Sequence, residues 1–157
     1  MKLDTRVEQA LIEINFVERY ENISKKYNRE RTSKGQELDY FDGDFLMEIV
    51  ELLGYKAQYD KRERFFHIDL EEIGYFRFGF HFALEYGRLE LIWVVYEGDK
   101  VVLGSPWTRY PRLMIARDYI IKQPIISDYV DFRDVMKIAF EMYEDFKQVF
   151  LKIAKDK

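Results

Sequence analysis

Four phenylalanines at every second position, Phe76, Phe78, Phe80 and Phe82, interleave with Arg77, Gly79, His81 and Ala83 in the segment Tyr75–Leu84. A strand turns successive side chains to opposite faces, so this segment lines one face of a sheet with phenyl rings and leaves the other polar or small. A helix cannot gather residues of period two on one side. The segment therefore predicts a strand at the centre of the core, and the remaining elements must cover its phenyl face.

Period two continues on both sides. Tyr55, Ala57 and Tyr59 alternate with Lys56 and Gln58, and after a turn at Asp60–Glu63, Phe66, Ile68 and Leu70 alternate with His67 and Asp69. Glu85–Tyr86–Gly87 reads as a hairpin connection into Arg88–Tyr96, and Glu97–Lys100 as a second one into Val101–Leu103. Past Leu91 the strand Arg88–Tyr96 is apolar on both faces, which predicts an interior strand with cover on each side. Gly79 inside the phenyl strand marks a bulge or a close approach.

Helical periodicity flanks this meander. Thr5–Tyr27 carries Val7, Leu11, Ile14, Val17 and Tyr20 at helical spacing, with Thr5 and Glu8 placed as a capping box. Asn28–Gln36 is polar and aperiodic, and reads as an exposed, mobile part of a polar loop around 28–41. Asp42 or Asp44 caps a helix running to about Leu53, with Gly54 as its left-handed stop. After Gly104–Tyr110 a short helix is expected over Pro111–Ile121, with Pro111 in its first turn, then an extended or irregular stretch from Gln123 to Val130. Asp131 is placed to cap the last helix, Phe132–Ala154, whose stripe runs from Phe132 and Val135 to Phe150 and Ile153. The expected fold is α+β: one domain of 157 residues, an antiparallel β-meander of about four to five strands packed against N- and C-terminal helices.

Composition narrows the function classes. The absence of cysteine removes disulfides, thiolate nucleophiles and Cys-ligated zinc. Met1–Leu3 leads straight into charged residues and no apolar run is long enough to span a bilayer, so no leader and no membrane partner are expected and the cytoplasm is the expected compartment. A net charge of −4, with both signs interspersed, argues against nucleic acid, which needs concentrated basic surface, and suits a basic partner.

Few residues invite chemistry. His67 and Asp69 share a strand face, Arg77 and His81 share the polar face of the phenyl strand, and Glu90 can join them from the next. Such groups can move protons or hold phosphate, or equally form a plain sheet face with cross-strand ion pairs. Asp39, Asp42 and Asp44 lack calcium-loop register and read as helix-capping acids. With only two histidines and no phosphate loop or nucleophile elbow around Ser105, neither cofactor, metal nor catalytic residue is expected, and the chain reads as a non-enzyme. Trp107, Arg109 and Tyr110 form an aromatic–basic cluster of the kind that anchors protein interfaces, or else Trp107 plugs one end of the core.

Several features occur together: an N-terminal helical segment, a helix ending in Leu52–Leu53–Gly54–Tyr55, an antiparallel meander, a Pro106–Trp107 exit, and a tail from Pro124 to Lys147 that closes in a long amphipathic helix. From about Gly43 onward this arrangement resembles the small bacterial immunity proteins that neutralise polymorphic or contact-delivered toxins. The resemblance implies a cytosolic protein that binds and blocks a cognate toxin domain; its motifs are structural, and no family residue is carried over as functional. Candidate partner-binding residues are His67, Asp69, Arg77, His81, Glu90, Trp107, Arg109 and Tyr110. A secretion chaperone or adaptor, and an enzyme using the His67/His81 face, are the alternatives, and a homodimer remains open.

Overall fold

The computed structural model describes residues 2–156. Its centre is an antiparallel sheet built on β4 (Phe76–Glu85) and β5 (Arg88–Glu97), paired over their whole length from Phe76↔Glu97 to Glu85↔Arg88. Outside β4 lie β2 (Phe65–Ile68) and β3 (Glu71–Ile73), then β1 (Ala57–Asp60); β6 (Lys100–Leu103) borders β5. Six strands and flanking helices give the expected α+β meander, with β3 as an element the alternation did not reveal.

β2 and β3 are two halves of one broken strand. The pairing changes from His67↔His81 to Glu71↔Phe78, so Ile68, Asp69 and Leu70 together face only Gly79 and Phe80. One extra residue inverts the alternation, as in a β-bulge. Leu70, expected on the side of Phe66 and Ile68, therefore crosses to the opposite face, and a Cβ on Gly79 would come within 2.9 Å of its side chain. Glu71 crosses the other way.

The phenyl face is covered by helices. α5 (Tyr129–Lys155) runs along it: Phe132 meets Phe82 at 5.7 Å, Phe140 and Tyr143 meet Phe80 at 5.3 and 5.2 Å, and Phe150 meets Phe78 at 5.9 Å between ring centres. The expected stripe is the buried one, but the helix begins earlier, on Asp128, whose side chain accepts from the Asp131 amide at 2.8 Å. Asp131 lies inside the first turn, not at the cap. Lys147 is buried too, and Glu71 and Glu144 accept from its ammonium at 2.7 and 2.9 Å.

The single N-terminal helix expected over Thr5–Tyr27 is two. α1 (Thr5–Glu13) is capped by Asp4, not by Thr5 and Glu8, and α2 (Phe16–Lys26) follows a break at Asn15, whose φ is 60°. Asparagine tolerates this left-handed geometry better than most residues. The break shifts the helical phase, so Phe16 and not Val17 enters the core, 5.1 to 5.7 Å from Trp93, Trp107 and Tyr110. α3 (Gly43–Leu52) starts on Asp42 and ends at Gly54 with φ 98°, as the sequence indicates. The short helix after the sheet, α4 (Arg109–Met114), starts two residues before the expected Pro111 and ends at Met114, well short of the expected Ile121.

The polar loop is fastened at several points. Arg31 donates to both oxygens of Asp131 at 2.6 and 2.7 Å, Arg29 pairs with Glu37, and Thr32 is buried. Glu37 packs so closely on Gly87 (φ 74°) that a Cβ there would meet it at 2.2 Å, which makes glycine obligatory. A reading from polarity alone misses such fastening, because the contacts to Asp131 and Gly87 join residues far apart in sequence.

Burial alone would raise the Asp131 carboxyl, but donors on Arg31 and Ser127 outweigh it and hold the group below its ordinary value. A carboxylate with a depressed folded value stabilises the fold above its unfolded value, and that stabilisation disappears as pH falls through the folded one. Urea unfolding should therefore show Asp131→Ala destabilised by about 2 kcal/mol near neutrality. Asp131→Asn should lose less stability than the parent chain on acidification from about pH 7 to about pH 3.

Candidate functional site

Helices occupy one face of the sheet only. The opposite face carries Gln58 from β1, Phe65 and His67 from β2, Leu70 at the bulge, Arg77, Gly79, His81 and Ala83 from β4, and Glu90, Ile92, Val94 and Tyr96 from β5. The cover expected on both sides of β5 is absent here. Val94 is nonetheless buried, beside Gly79 and under the reach of Leu70.

Two of the five predicted sheet residues come together. The rings of His67 and His81 are 6.0 Å apart, and Phe65, missed because the strand was expected to start at Phe66, stacks on His81 at 4.6 Å and 11°. Arg77 sits near one end of β4, its guanidinium 4.8 Å from the Tyr96 ring and donating to the Gly98 carbonyl at 3.2 Å. Glu90 opposes Ala83, six residues or about 20 Å along the strand from Arg77, and accepts from Gln123 at 3.3 Å. Asp69 lies in the bulge, exposed, and accepts from Gln58 at 3.2 Å. Among the described residues no hydrogen bond joins Arg77, Asp69 or Glu90 to either imidazole.

The second predicted cluster separates by depth. Trp107 and Tyr110 are fully buried, Trp107 edge-on to Phe16 and Tyr20 at 5.1 Å. Tyr110 donates to the Ser105 carbonyl at 2.8 Å and accepts from the Trp93 amide. These two side chains close the core, so their reading as partner anchors gives way to the core plug. Arg109 alone reaches the surface, where it lines a cleft with Arg112 and Arg117.

Chemically, the sheet face offers a half-buried aromatic and imidazole centre with charges around it. The carboxylates of Asp69, Glu72, Glu85 and Glu90 outnumber the guanidiniums of Arg77 and Arg88 on it. A small cleft on it, about 250 Å³, lies beside Glu90 between Ala83, Arg88 and Gln123. Among the described residues no three His, Cys, Asp or Glu side chains are grouped to hold a metal ion, and no helix is long and apolar enough to cross a membrane. Comparison with family models, with curated proteins and with solved structures finds no match to the chain.

Burial, and after it the neighbouring His67, hold the His81 imidazole below its ordinary value. Here the unfolded chain takes up the proton first, so stability falls as pH drops through the unfolded histidine value and levels off below the folded one. Titration by NMR should find His81 protonating at lower pH than a free histidine. In His67→Gln its midpoint should rise while staying below that reference, because the burial remains.

Proposed function

We propose that this chain is a non-enzymatic binding protein of the immunity type, which neutralises a folded toxin domain by covering it with the open sheet face. The observation that carries the reading is the composition of that face. A centre of Phe65, His81, Ile92 and Tyr96 is surrounded by charge, the pattern of an interface with an apolar core and polar rim. Excess carboxylate on the face favours a basic partner, whose approach it also accelerates. The resemblance of the meander and closing helix to immunity proteins supplies the class of partner.

Steric occlusion asks nothing of the imidazoles beyond contact. His81 is shielded by Phe65 and does not line the cleft beside Glu90, which agrees better with a contact surface than with proton transfer. Asp69, Arg77 and Glu90 then act separately, as rim charges at different points of the surface. Arg109 lies outside this interface.

The test is capture from the native cell with the parent chain and with Phe65→Ala/Tyr96→Ala. The expected result is one folded basic domain bound in equal stoichiometry, whose activity falls as the chain is added. The double variant should bind it at least about thirtyfold more weakly, the equivalent of a hot-spot loss of about 2 kcal/mol. Equal binding by the variant would rule out the sheet face. Recovery of unfolded clients would replace the inhibitor by a chaperone.

A further inference from the structure

The charges of this protein are interspersed except in two places: residues 35–55 hold six acids and no Lys or Arg, and a second segment is purely basic. From Trp107 to Arg117 there are three arginines and no aspartate or glutamate, in a chain whose net charge is −4. The fold gathers those three on one cleft: Arg109 and Arg112 from α4, Arg117 from the turn after it, with Leu113 between them. Its volume is about 520 Å³, roughly twice that of the cleft beside Glu90 and within the usual size of a small-molecule site.

The guanidinium ends of Arg112 and Arg117 are not spent on the protein's own carboxylates. Among the described residues neither Arg112 nor Arg117 has an acidic partner, and Asp118, next in sequence, pairs with neither. Arg112 is instead aimed by its own Nε, which donates to the Arg117 carbonyl at 2.8 Å across the turn. That bond leaves the two terminal nitrogens of Arg112 for another acceptor. Below the cleft, the same segment is pinned by the buried Trp107 and Tyr110, so the arginines stand on a fixed base.

We propose that this cleft is an oxyanion site that binds a phosphorylated small molecule through Arg112 and Arg117, with Arg109 on its wall. Guanidinium forks match the spacing of phosphate oxygens and accept no proton loss at any ordinary pH. A di- or polyphosphate has both the charge and the number of acceptor oxygens to engage more than one fork at once. A single carboxylate has neither. The cleft shares no lining residue with the open sheet face, so the site is independent of the inhibitor reading.

Isothermal titration with inorganic pyrophosphate tests this, with citrate as the polycarboxylate arm. The parent chain should bind pyrophosphate saturably at one site and citrate at least about tenfold more weakly. Arg112→Ala/Arg117→Ala should weaken pyrophosphate by about a hundredfold, tenfold for each lost charge-assisted contact. Arg112→Lys/Arg117→Lys, which keeps charge and fold but loses the forks, should fall between. Arg133→Ala, on the exposed side of α5, should bind as the parent does. Absence of saturation, equal affinity for citrate, or an unchanged constant in both double variants would each overturn the proposal.

Discussion

The interlock of the β4 phenyl rings with α5 sets the rest of the structure. Phe80 alone meets Trp93, Trp107, Phe140 and Tyr143 within 6.3 Å, and Trp93 stacks on Phe146 at 4.9 Å. Each such ring removes a large apolar area from water, so the register of β4 is strongly specified. A slip by one residue would put Arg77 and His81 against the helix and four rings in solvent. Among the described residues, the aromatic density leaves Trp93 Nε1, Trp107 Nε1 and the Tyr143 hydroxyl without hydrogen-bond partners. Ring packing has to offset the desolvation of these three donors. With the rings of Phe76, Phe78, Phe80 and Phe82 committed to one side, any recognition by the sheet falls to the other.

The bulge at Ile68–Leu70 ties the two faces together. Were the same residues paired in the unbroken register of β2, Glu71 would oppose Arg77 on the open face and the ammonium of buried Lys147 would lose the partner that comes from the sheet. The inversion places Glu71 over α5 and, one residue earlier, Leu70 over Gly79. Glycine at 79 fits this arrangement because the Leu70 methyl occupies the space of a side chain. One insertion therefore supplies the counter-ion of a buried cation and the local cover of Val94.

Much of this was legible because period two and period 3.6 are local. The meander, α3 with its Asp42 cap and Gly54 stop, and the stripe of α5 follow from residue spacing. What was not legible depends on partners distant in sequence. Asn15 breaks a continuous helical pattern, and only the slot between Trp93 and Trp107 explains why Phe16 replaces Val17 inside. The loop residues Arg29, Arg31 and Thr32 look mobile until Glu37 and Asp131 are beside them. On the candidate face, alternation placed His67, Arg77, His81 and Glu90 on one side. Their spread along some 20 Å of strand follows only from the pairing of β4 with β5. Trp107 and Tyr110 carry the same composition whether they anchor a partner or close a core, and burial decides between these.

That burial bears on what surrounds it. In the run Trp107–Thr108–Arg109–Tyr110, two aromatic side chains enter the core and the arginine between them faces outward, so surface charge is mounted on residues that cannot move without opening the core. Tyr110 is further held by Ser105 and by the β5 amide of Trp93, and Trp107 by its own amide to the Leu91 carbonyl at 2.8 Å. Arg112, further along the same helix, gives up less conformational freedom on meeting an anion from such a base than it would from a free loop. The sheet face is fixed by the same packing, since its side chains alternate with the interlocked rings. Two surfaces of opposite charge balance, one with excess carboxylate and one purely basic, thus stand on a single aromatic core and share its rigidity.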